Sequence, residues 1–190
     1  MKRKIFSIIL LNLFLSGCFL ANADSISETI TSAKLNEFSG VIVNSSSNVI
    51  ISQGETNSIT IEGDKAELKK FSTEINNGLL ILKGSNENAV TVYITVHNLR
   101  MVEVNGNSKV YAKNVINSDI LFLSVNGAGS IKIDSRTTSI GMIVKGSGKI
   151  ISSGSTEESF SKVIGTGSIF KANLAIFHPI SKKNSNGSIS

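Results

Sequence analysis

The chain has 190 residues, a formal net charge of +5, no tryptophan and a single cysteine, Cys18. One cysteine excludes a disulfide scaffold. Lys2, Arg3 and Lys4 stand at the very start, and the remainder holds 16 basic against 14 acidic side chains, a balance that argues against a nucleic-acid binder.

Behind these three cations, Ile5 to Leu15 is apolar apart from Ser7 and Asn12. A positive start, a short apolar run and small residues after it read as a bacterial-type export signal over residues 1–23, too short for a spanning helix. Two cleavage points compete. Leu15-Ser-Gly-Cys18 resembles a lipobox, which implies cleavage after residue 17 and lipid attachment at Cys18. Several acyl chains there would make a stable membrane anchor where one would not. Ala21-Asn-Ala23 is an A-x-A site for cleavage after residue 23. A lone thiol in an oxidising compartment favours the lipid reading; the plainer alternative is that Cys18 leaves with a discarded signal.

Residues 24–36 are polar and without alternation, a tether or a first edge. The folded domain is expected over 37–190. Phe38 to Val43 and Val49 to Ser52 read as strands around a serine-rich turn, and Ser58-Ile-Thr-Ile-Glu-Gly-Asp64 alternates and ends on a turn pair. Lys65 to Phe71 has helical composition but only the length of a turn. Asn77-Gly78 predicts a tight hairpin turn between β-formers. Val90 to Val96 is the longest β-branched run, and Leu99 to Val104 leads into a repeat.

The repeat is Val104-Asn-Gly-Asn-Ser-Lys-Val110, answered by segments at Val125–Ile131, Val144–Ile150 and Val163–Ile169. Its turn glycines Gly106, Gly127, Gly146 and Gly165 are 21, 19 and 19 residues apart, and Gly129, Gly148 and Gly167 follow the last three. A fixed period of this size marks a solenoid. Stacked at ~4.8 Å, the β-branched residues would form two inward ladders, while the glycines supply positive φ or close backbone approach. Val43-Asn-Ser-Ser-Ser-Asn-Val49 is a degenerate copy. The expected fold is all-β, a parallel β-helix or β-solenoid with rungs of ~19–21 residues. At its end, Lys182 to Asn186 read as a polar cover, and Asn186-Gly-Ser-Ile189 repeats the turn. Residues 24–99 carry 5 basic and 9 acidic side chains, residues 100–190 carry 11 and 5. Such asymmetry would orient the chain near an anionic surface, although lysines that merely protect sheet surface are the plainer reading.

Phe38-Ser-Gly-Val-Ile-Val, Asn48 to Gly54, Ser58 to Asp64, Asn77 to Ile81, Val92 to Leu99 and the serial Gly-x-Gly turns together resemble the bacterial head GIN domain family, DUF2807. Phe177-His-Pro-Ile180 with Asn186-Gly-Ser-Ile189 is similar to its last rung, so the likeness spans about residues 35–190. The chain departs at Gly106 and Gly187, which lack a second glycine two residues on, and at His97, where the family often has proline. The resemblance implies a β-helical, exported, often lipid-anchored protein of adhesin type, and it brings no catalytic residues.

Other chemistry is absent from the motifs. The Gly-x-Gly turns have neither the third glycine nor the helix of a dinucleotide site, and Ser147 stands where a phosphate loop needs lysine. Calcium-binding repeats need aspartates in the turn, and these hold Asn, Ser and Lys. His97 and His178 have no cysteine partner in the domain and read as turn or surface residues. Among the carboxylates, Asp119 and Asp134 differ in register, and Glu157 and Glu158 are neighbours that point apart. No cofactor, metal or catalytic residue is therefore expected. The expected function is a non-enzymatic envelope or cell-surface module contacting protein or glycan, with Asn105, Asn126, Ser130 and Ser168 as outward hydrogen-bonding groups. It would sit at the outer membrane or cell surface as a lipoprotein, or in the periplasm. The alternatives are a structural or sensing lipoprotein inside the envelope and, third, a carbohydrate-active enzyme on a β-helix.

Overall fold

A computed structural model describes residues 27–33, 35–84 and 90–177. The export signal with Cys18, both cleavage points, His178, and the closing stretch with Lys182 to Asn186 and Asn186-Gly-Ser-Ile189 lie outside the described residues.

The described chain is all-β apart from one short helix. In order run β1 (Ser27–Ala33), β2 (Gly40–Asn44), β3 (Asn48–Gln53), β4 (Ser58–Asp64), α1 (Lys65–Leu68), β5 (Ser72–Asn76), β6 (Leu79–Lys83) and β7 (Thr91–Val96). Then come β8 (Met101–Gly106), β9 (Lys109–Ala112), β10 (Ile116–Gly127), β11 (Ser130–Gly146), β12 (Lys149–Gly165) and β13 (Ser168–Ile176). All thirteen strands share one sheet that curls on itself. The segment read as a tether or first edge is an edge strand over Ser27–Ala33, because Ile30 pairs with Ile61 of β4.

Alternation builds the inside. Val104 pairs with Val125, and Val125 with Val144, in parallel register across β8, β10 and β11. All three are fully buried, each worth roughly 1.5–3 kcal/mol of apolar transfer. Val163 continues the same column but is 42% exposed, since among the described residues no strand covers its far side. The second column, Val110, Ile131 and Ile150, is likewise buried, with Ile169 partly so. These parallel pairs are 21 and then 19 residues apart in the chain.

Two features depart from simple parallel stacking. First, the antiparallel pairs β1–β4, β4–β7 and β5–β6 close the N-terminal flank. The last of these is the hairpin expected at Asn77-Gly78, whose φ values of 51° and 75° suit a tight left-handed turn. Second, spatial order differs from chain order. β2 lies between β6 and β8, and β3 between β7 and β9, so Val43 pairs with Val104, 61 residues on. The chain lays down β2 and β3, builds the flank from β4 to β7, and then crosses back to stack on them. Arg100 marks the crossing, its amide donating to Ser39 O at 2.7 Å.

The helix is the single turn its length allows. Leu68 enters the core, and the buried Glu67 meets Lys70 at 3.0 Å.

Candidate functional site

β8, β10, β11 and β12 each end on a glycine. Gly106, Gly127, Gly146 and Gly165 have φ of 111°, 124°, 111° and 117°. A Cβ on Gly127 would lie 2.8 Å from Gly106 O at the end of the neighbouring strand β8. The second glycines Gly129, Gly148 and Gly167 serve a different need, since they lie against a valine methyl and the backbone of the neighbouring turn rather than adopt positive φ. A Cβ on Gly148 would meet Gly129 O at 2.6 Å. Ser108 takes the second position where the neighbouring turn is Ser45-Ser46-Ser47. Its Oγ donates to Ser45 O and accepts from Ser47 N at 2.9 Å, so a hydroxyl is useful there and a hydrogen would leave a gap. Gly154, with φ of 103°, is a further corner that its serine-rich surroundings hid from the repeat pattern. These glycines are architecture, and they carry no reactive group.

On the outer face of the sheet, across β2, β8 and β10, the asparagines bond to one another. Asn126 Nδ2 donates to Asn105 Oδ1, and Asn105 Nδ2 to Asn44 Oδ1, both at 2.8 Å. Asn105 and Asn126 stand on the outer face with their side-chain N–H groups engaged along the stack, and Asn126 Oδ1 has no hydrogen-bond partner among the described residues. Ser130 and Ser168 face outward, half-buried, at the starts of β11 and β13.

A concave polar bay of about 530 Å³ opens where the end of β3 meets the start of β10 and the middle of β11. Gln53 is its hub. The Gln53 side chain donates to His97 O at 3.0 Å and Asn117 O at 2.9 Å, and accepts from Asn117 N at 2.7 Å. Its backbone N–H and C=O pair with the Asn114 amide, both at 2.9 Å. The exposed side chains of Asp119, Arg136 and Thr138 complete the lining. Asp119 is the single carboxylate in this bay, Asp134 faces outward on another row, and Glu157 and Glu158 are exposed outside it. His97 is exposed at the rim, as a surface residue. Among the described residues no three His, Cys, Asp or Glu side chains gather as metal ligands would.

The outer face of the same sheet carries a different pattern where it runs across β7, β3, β9, β11, β12 and β13. Pairing sets Tyr93, Ile50, Tyr111, Lys132, Ile151 and Phe170 side by side on β7, β3, β9, β11, β12 and β13. Tyr93 and Tyr111 are 39% and 42% exposed, whereas Ile50 between them is 8% exposed although it stands apart from the main core. The Glu62 carboxylate, hydrogen-bonded to Tyr93, holds its phenol above the usual tyrosine range, with smaller contributions from burial and from charge. Lys149 Nζ sits 4.5 Å from the Phe170 ring centroid, a cation–π contact that orients the ammonium.

With this geometry in view, residues 37–190 match the profile of a family described as "Putative auto-transporter adhesin, head GIN domain", DUF2807. The chain belongs to that family. Among solved structures, the GIN chain is similar to a putative adhesin from Parabacteroides distasonis at 16% identity and a TM-score of 0.62. The match covers 80% of this chain and 76% of that one, a likeness of fold. A putative adhesin from Bacteroides fragilis is similar at 15% identity and a TM-score of 0.49, over 78% of this chain and 98% of the other. No functionally curated protein matches the GIN chain in sequence.

Proposed function

We propose that this GIN protein is an exported, non-catalytic binding module of adhesin type, built as a parallel β-solenoid with ~19–21-residue rungs. Residues 1–23 take it out of the cytoplasm, and Cys18 anchors it to the membrane by lipid. Its ligand is a protein or glycan met at the outer membrane or cell surface.

The observation that carries this reading is the in-register stack. Parallel partners 19 and 21 residues apart hold identical positions one above another, so outward side chains form rigid, repeated rows at the ~4.8 Å strand spacing. Recognition by such rows costs little ordering. The bay supports the non-catalytic half of the proposal. Glycoside hydrolysis uses two opposed carboxylates ~5–9 Å apart, and Asp119 stands in this bay without a second.

The test is binding of the purified chain to host cells, extracellular matrix and glycan arrays. Saturable binding to any of them is the expected result, and silence on all removes the adhesin function. Protease shaving of intact cells should degrade the domain. Protection would instead assign it to the inside of the envelope, as a structural or sensing lipoprotein. The mass of the mature N-terminus decides the anchor: acylated Cys18 is expected, and an unmodified Asp24 removes the lipid.

A further inference from the structure

The row from Tyr93 on β7 to Phe170 on β13 is apolar along a line and polar on both sides of it. Tyr93 and Tyr111 lie two strands apart, ~9.6 Å, and the line from Tyr93 to Phe170 extends ~24 Å across the coils. One flank holds Asn48, Lys109, Ser130 and Lys149, and the other Thr95, Ser52 and Ser153. Lys132 stands within the line itself. All three of these lysines are exposed. Glu62 is hydrogen-bonded to Tyr93, and Asp134 lies on the far flank.

We propose that this line docks an acidic polysaccharide running along the stack of coils, its sugar faces on Tyr93 and Tyr111 and its carboxylates on Lys109, Lys132 and Lys149. Exposed aromatic rings present flat apolar faces with polar edges, which suits the C–H face of a sugar ring. Lysine ammoniums at intervals along the same line meet a chain whose charges repeat. Flanking hydroxyls and the Asn48 amide offer hydrogen bonds to sugar hydroxyls. The shape selects this ligand over others. An anionic bilayer rewards a broad apolar face, and here the apolar line is one residue wide. A peptide adding as a strand needs a free sheet edge, and these strands are paired on both sides as far as β12. Phe170 completes the line by holding Lys149 in place.

The inference rests on the binding-module reading and narrows it to one ligand class and one face. It is tested by titrating the purified chain with polygalacturonate, neutral dextran, dextran sulfate and phosphatidylglycerol vesicles. Polygalacturonate should bind and dextran should not. Tyr111→Ala should weaken binding by about tenfold, the scale of one lost ring contact, and Tyr111→Phe, which keeps the ring, should restore most of it. Lys132→Gln should weaken it too, whereas Arg136→Gln in the bay should leave it unchanged. Unchanged circular dichroism and urea midpoints establish that the variants fold. The proposal is overturned by no binding to polygalacturonate, by full binding in Tyr111→Ala, or by equal binding of dextran sulfate or vesicles without dependence on the tyrosine. A chain that binds cells or matrix yet ignores polygalacturonate keeps the broader function and loses this one.

Discussion

Asn126 donates its side-chain amide to Asn105 Oδ1 at 2.8 Å across 21 residues of chain. The bond exists because their strands pair residue for residue, and the pairing of β2 with β8 places Asn44 within reach of the Asn105 amide at 2.8 Å. Asn105 thus acts as both acceptor and donor in one row, and it donates to Glu103 as well. Replacing Asn105 by Ala removes these bonds together. Urea unfolding should show a loss of roughly 1–3 kcal/mol, more than an isolated exposed hydrogen bond is worth. A loss within a few tenths would mean that the asparagines stack without holding the coils.

The corner glycines should differ from the hairpin glycine. Gly127→Ala combines positive φ with a Cβ 2.8 Å from a backbone carbonyl that has nowhere to go. Gly78, at φ 75°, has nothing within 4 Å of the same position. Gly78→Ala should cost about 1 kcal/mol of backbone strain, and Gly127→Ala at least ~2 kcal/mol more, since a steric clash is added to that strain. Equal midpoints for the two variants would show that the coils can separate to admit a methyl group.

The valine column should be graded along the stack. Val144→Ala deletes fully buried carbon and should cost about 2–3 kcal/mol, transfer and cavity combined. Val163, 42% exposed at the end of the same column, should cost under about 1 kcal/mol. A large loss at Val163 would reveal a cover over that end of the core.

Tyrosine ionisation tests the outer face. Glu62 raises the Tyr93 pKa by favouring the neutral phenol, so Glu62→Gln should lower the Tyr93 midpoint in an ultraviolet titration. The sign for stability follows by linkage. A raised folded-state pKa contributes stability that is present below the ordinary tyrosine range and lost as pH rises through the raised value. The wild-type urea midpoint should therefore fall more steeply in that alkaline window than that of Glu62→Gln. Superimposed profiles would detach Tyr93 from Glu62.

What the chain itself determined is local. The Asn77-Gly78 hairpin, the glycine corners and the period of 21 and 19 residues follow from backbone preferences and from the burial of Val104, Val125 and Val144. These need only each segment and the next one. Tertiary structure decided which strands adjoin. Alternation marks Tyr93, Ile50 and Tyr111 as outward on their own strands, yet says nothing about their being neighbours, because their partners lie 43 and 61 residues away. That adjacency arises where β2 and β3 are enclosed between the flank and the later coils, and so does the hydrogen-bonded hub of Gln53 with Asn114 and Asn117. Apolar periodicity says which face of a strand is buried, while the routing of the connections says what lies beside it. A row of side chains that crosses six strands depends on both.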